Sequence, residues 1–83
     1  MNVLKVLIVD DDATMRIGLK SMIPWEQHGY ELIGDANDGK QALELVHAHS
    51  PHIIITDMKM PVMDGISLIR TLKKENFPCT FLV

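Results

Sequence analysis

The chain has 83 residues, 47% of them hydrophobic and 23% charged, with eight Lys and Arg against eleven Asp and Glu for a formal charge of −3. It is too apolar for a disordered segment and too short for two domains, and it lacks any basic block that could neutralise a run of nucleic-acid phosphates. A lone Cys79 beside six Met excludes an internal disulfide and fits a reducing compartment.

Residues 4–9 are a short apolar, β-branched run that reads as a strand buried on both faces. Asp10, Asp11 and Asp12 follow at once, which is no signal-peptide ending, and no stretch is long enough to span a bilayer. The expected location is therefore the cytoplasm. A helical pattern covers residues 13–23, with Met15, Leu19, Met22 and Ile23 spaced to lie on a sheet. Gly18 inside it costs about 1 kcal/mol relative to Ala, which suggests close approach of helix and sheet. Pro24 stops the helix, Gly29 suits a turn with positive φ, and residues 30–34 form the second strand.

Asp38 with Gln41 three residues later marks a capped second helix, with Ala42, Leu43 and Val46 as its apolar face and Ser50-Pro51 as its stop. Residues 53–55 make a third buried strand, closed by Thr56 and Asp57. A third helix over residues 65–75 presents Leu68, Ile69 and Leu72, and residues 79–83 form a last strand. The βαβαβαβ order predicts a doubly wound parallel sheet with helices on both faces. The chain ends inside its last strand, as a domain cut short would.

In such a sheet the functional crevice lies beyond the carboxyl ends of the strands, where the strand order reverses. Two strands end there in acid: Val9 leads into Asp10 and Asp11, and Thr56 leads into Asp57. If the first and third strands are neighbours, three carboxylates meet on one rim and repel one another. A cation relieves that repulsion. Oxygen-only donors with no Cys or His at ligand spacing call for a hard ion, and Mg²⁺ suits them better than zinc.

The acidic pair after the first strand, the Thr56-Asp57 ending of the third, and Met60-Pro61-Val62-Met63-Asp64-Gly65 together resemble the receiver domain of two-component response regulators. Ile23-Pro24-Trp25-Glu26 followed by Gly29-Tyr30-Glu31 is further similar to receivers fused to AraC-type helix-turn-helix output domains. The resemblance implies a flavodoxin-like fold, with residues 1–83 as a partial receiver lacking the fourth helix, fifth strand and fifth helix of a domain of roughly 120 residues. It also implies that Asp57 accepts a phosphoryl group from a histidine kinase, and that Asp10, Asp11, Asp57 and the backbone carbonyl of Lys59 hold Mg²⁺. Such a receiver is no enzyme, though it assists its own phosphorylation and dephosphorylation. It would reach DNA only through an output domain outside this chain. The open end of the sheet adds an expectation of self-association.

Simpler roles suit several other residues. Asp12 and Asp64 read as helix N-caps, and Met58, Met60 and Met63 as fillers of irregular core gaps. His28, His47, His49 and His52 have no metal-ligand spacing. Cys79 is a small apolar strand residue, and the Lys59 side chain is solvated at the rim. The rival reading is a fragment of a haloacid-dehalogenase-type phosphohydrolase, because residues 10–14 also fit D-x-D-x-T, with Asp10 as nucleophile and Asp12 as acid or base. That reading leaves Asp57 and the loop after it without a role.

Overall fold

Val6, Leu7, Ile8 and Val9 are each at most 1% exposed, so the first strand is covered on both faces, as its unbroken apolar run requires. The computed structural model describes residues 3–60 and 62–83. Its strands are β1 (Leu4–Val9), β2 (Tyr30–Ala36), β3 (Ile53–Thr56) and β4 (Thr80–Leu82), and its helices α1 (Ala13–Met22), α2 (Gly39–His49) and α3 (Gly65–Lys74). All strand pairs are parallel, in the order β2-β1-β3-β4. The order reverses between β1 and β3, where the sequence places its acidic ends. No helix among the described residues is long and apolar enough to cross a membrane.

Alternation along the strands divides the core. Leu7, Val9 and Ile54 pack with Ala36, Ala42, Val46, Met60, Leu68 and Leu72, which joins the sheet to α2 and α3. Truncating a fully buried leucine such as Leu68 or Leu72 to alanine costs about 2–5 kcal/mol, a large share of a small domain's stability. Ile8 faces the other way, toward Met15 and Leu19 of α1. Met63 packs against the core from its edge, as does Cys79, whose thiol is pushed up by burial and stays protonated at neutral pH.

Short side chains start each helix where the sequence places them. Asp12 accepts the amides of Thr14 and Met15, Asp38 that of Gln41, and Asp64 that of Ser67. The Gln41 side chain returns its bond to the Asn37 amide at 3.1 Å, one residue before the cap. His47 Nε2 lies 2.7 Å from Glu75 Oε1, tying α2 to the end of α3.

Four expectations are corrected. The stripe on α1 is only partly laid on the sheet: Met15 and Met22 are 51% and 82% exposed, no residue of α1 is buried, and a cleft lies between Met15, Leu19 and the strands. Strand β2 runs past Gly34 to Ala36, since a one-residue register shift opposite Val6 and Leu7 leaves Ile33 as an extra residue and lets pairing resume. The last strand is shorter than residues 79–83, with β4 pairing to β3 only over Thr80, Phe81 and Leu82. Gly18 makes no close approach, and a Cβ there would meet nothing within 4 Å.

Gly18→Ala should therefore stabilise the fold by about 0.5–1 kcal/mol in urea denaturation, through helix propensity and unfolded-state entropy; destabilisation would reveal a contact that the open space denies. The Ser67 amide holds the Asp64 carboxyl below its usual range. A depressed folded-state value adds stability above the ordinary carboxyl range of about pH 4, and that stability is lost as pH falls through the depressed value. Asp64→Ala should thus lower the melting temperature most near neutral pH, with the gap to wild type narrowing in acid. A gap that widens in acid contradicts this assignment.

Candidate metal and phosphoryl-acceptor site

The register of β1 with β3 pairs Val9 with Thr56, so the next residue of each strand emerges level on the same rim. Asp57 N–H continues that ladder by donating to Val9 C=O at 3.1 Å, and Asp10 N–H donates across the other side to Ala36 C=O at 3.0 Å. Backbone pairing alone therefore brings the two acids together. Asp10, Asp11 and Asp57 each offer an oxygen within 4.8 Å of the others, with Asp10 half-buried and the other two exposed.

Local contacts orient these groups. Asp10 Oδ1 accepts the Asp12 amide at 2.9 Å, and Asp57 Oδ1 faces the Lys59 amide at 3.4 Å. The Thr56 hydroxyl, on a residue 3% exposed, donates to Asp57 C=O at 3.0 Å. The start of α3 presses on the same carbonyl: a Cβ on Gly65 would fall on it, so only glycine fits. Gly39 at the start of α2 is equally close to Met63, whose carbonyl accepts its amide at 2.7 Å. The loop after Asp57 is thereby fastened to both helices. Pro61, part of the motif read from the sequence, lies outside the described residues.

No ion pair among the described residues involves any of the three carboxylates. The donor set is oxygen only, negatively charged and open to solvent, which fits a hard divalent cation that keeps several waters. Ligand oxygens about 2.1 Å from such an ion lie about 3–4 Å apart, so small side-chain rotations close the shell. Beside the acids a cleft of about 330 Å³ runs between Met15 and Leu19 of α1 and Ile8 and Ile55 of the sheet, reaching Val83.

Asp12 and Asp64 are engaged as caps, as expected, and neither joins the acidic trio. The dehalogenase-type reading would need Asp12 as acid or base, and here its Oδ1 is engaged by the first amides of α1. The four histidines are exposed. His52 Nδ1 accepts the Lys5 amide at 2.9 Å at the opposite end of β1. Sequence reasoning missed Arg16 and Asp35. Arg16 Nη1 donates to Asp10 C=O at 2.7 Å, and its Nε donates to Asp35 Oδ2 at 2.9 Å. The available signal was Asp35 itself, a carboxylate near the end of β2 on the same rim.

A doubly wound parallel sheet that gathers three carboxylates where its strand order reverses defines a flavodoxin-like domain with an acidic, cation-type site. Residues 6–83 match the response regulator receiver domain family, and the chain belongs to it. It is 40% identical over 79 residues to the uncharacterized transcriptional regulatory protein YesN of Bacillus subtilis, which covers 95% of this chain and 22% of that protein. It superposes on the receiver (REC) domain of AraT, a response regulator from Geobacillus stearothermophilus, with a TM-score of 0.88 and 37% identity, covering 95% of this chain and 61% of that one. A two-component transcriptional regulator AraC from Clostridium phytofermentans gives a TM-score of 0.84 at 37% identity, covering 94% and 63%. The fold is thus a flavodoxin-like receiver present in part, and the chain spans about a quarter of the length of curated relatives it matches.

Gly65→Ala should push the Asp57 carbonyl aside and cost about 1–3 kcal/mol in urea denaturation, with the largest NMR amide shifts at residues 57–59. Stability equal to wild type would mean that the loop is held in some other way.

Proposed function

We propose that this chain belongs to the phosphoacceptor receiver of a response regulator in two-component signal transduction, with Asp57 accepting a phosphoryl group from a histidine kinase. The convergence of Asp10, Asp11 and Asp57 at the switch point carries this reading. Asp10, Asp11, Asp57 and the Lys59 carbonyl are the proposed Mg²⁺ ligands. When bound, the ion offsets charge on the transferring oxygens and helps align the displacement.

The chain's own part is positioning. An Asp57 oxygen attacks phosphorus, forming a P–O bond as the P–N bond to the kinase histidine breaks. The electron pair leaves with the imidazole, which takes up a proton from solvent. The ladder bond from Asp57 N–H and the Gly65 contact keep the acceptor at the rim during that attack. In this sense the receiver assists its own phosphorylation and dephosphorylation without turning over a substrate as an enzyme does.

Residues 1–83 are on this reading a partial receiver of a cytoplasmic regulator. Phosphorylation shifts a pre-existing equilibrium by no more than its differential stabilisation of the two states. DNA is contacted through an output domain, AraC-like by the resemblance, a reading supported by a sequence of net charge −3 without a basic block to neutralise a run of phosphates. For the 83-residue segment taken by itself, self-association is proposed through β4, which exposes Leu82.

Asp11→Asn should weaken Mg²⁺ binding about tenfold or more in an NMR titration; an unchanged curve removes Asp11 from the site. In a regulator containing this segment, Asp57→Asn should abolish the hydroxylamine-labile label transferred from a phosphorylated kinase. Label that persists there and disappears in Asp10→Asn would instead favour the dehalogenase-type reading. Sedimentation at rising concentration should show association of the 83-residue chain. A cooperatively folding monomer whose melting temperature ignores dilution contradicts the edge proposal.

A further inference from the structure

Arg16 lies one turn into α1, where its amide donates to Asp12 C=O at 3.1 Å. Its side chain is 18% exposed and does not pair with any carboxylate of the acidic trio. It reaches the backbone behind them instead. One guanidinium nitrogen, Nη1, binds Asp10 C=O at 2.7 Å, and another, Nε, binds the Asp35 carboxylate of β2 at 2.9 Å. Lys20, one turn further along α1, approaches the other oxygen of Asp35 at 3.3 Å and makes no bond to Asp10.

Asp10 is consequently held at three points. Its amide is fixed by Ala36, its carbonyl by Arg16 and its Oδ1 by the Asp12 amide, and an oxygen of this restrained carboxylate lies within 4.8 Å of oxygens of Asp11 and Asp57. A planar fork anchored on a second carboxylate can hold a carbonyl in this way, whereas a lysine ammonium on a flexible stem cannot make both bonds with the same geometry. We propose that Arg16 is a positioning residue for the acidic site, fixing the turn after β1 so that Asp10 and Asp11 present their oxygens to a divalent cation. This rests on reading the trio as a Mg²⁺ site.

Charge and geometry make opposite demands here, which makes the idea testable. A nearby cation repels Mg²⁺, so an Arg16 that acted only by its charge would weaken binding, and its removal would strengthen it. An Arg16 that positions Asp10 gives the reverse sign. Mg²⁺ titrations of a regulator containing this segment, followed by the amide resonances of Asp11 and Asp57, should be run well below each variant's unfolding midpoint. Unfolded protein then does not dilute the apparent affinity.

Arg16→Lys, which keeps the charge, and Arg16→Gln, which removes it, should both weaken Mg²⁺ binding about three- to tenfold. Lys20→Gln, which touches only Asp35, should leave binding unchanged or tighter. Should the Arg16 variants fail to fold, Asp35→Asn carries the test, with an expected loss of about two- to threefold as the guanidinium loses its charged anchor. Arg16 variants that bind as tightly as wild type, or more tightly, overturn the positioning role while leaving the Mg²⁺ site standing. A wild-type chain whose Asp11 and Asp57 amides ignore Mg²⁺ overturns both.

Discussion

Mutual repulsion among Asp10, Asp11 and Asp57 is the constraint around which the rim of this sheet is organised. Oxygens within 4.8 Å of one another cost about 1 kcal/mol per charged pair in water-like surroundings, and no lysine or arginine among the described residues pairs with them. The backbone supplies what holds them together. Strand pairing sets Asp10 and Asp57 level, the Thr56 hydroxyl and the Gly65 approach fix the Asp57 carbonyl, and Arg16 fixes the Asp10 carbonyl. A divalent cation turns the same proximity from a cost into a binding site.

The core on one side of the sheet extends that control to the loop after Asp57. Met60 is buried with Leu68 and Leu72, and Met63 meets Gly39 at the start of α2. Packing in the α2–α3 layer therefore determines where the acceptor loop can run. On the other face, α1 has no buried residue and a cleft lies between it and Ile8 and Ile55.

Much of this was legible from local pattern. Unbroken apolar runs announced β1 and β3, Asp12, Asp38 and Asp64 announced the helix starts, and acids at two strand ends announced the site. The illegible parts depend on partners distant in sequence. Gly34 read as the end of a strand because a register shift is decided by the neighbouring strand. Gly18 read as a close contact because sequence does not reveal the open space beside it. Arg16 carried no signal of its own, because its partner Asp35 lies 19 residues away and is brought beside it only by the fold.

Paramagnetic mapping with Mn²⁺, which shares the hard, oxygen-seeking chemistry of Mg²⁺, tests the acidic trio most directly. Sub-stoichiometric Mn²⁺ should broaden the amide resonances of Asp10, Asp11, Asp12, Asp57, Met58 and Lys59 first, and excess Mg²⁺ should restore them. Broadening spread evenly over the other exposed acids, such as Glu31, Glu44 and Glu75, or left unrelieved by Mg²⁺, would contradict a built cation site at the switch point.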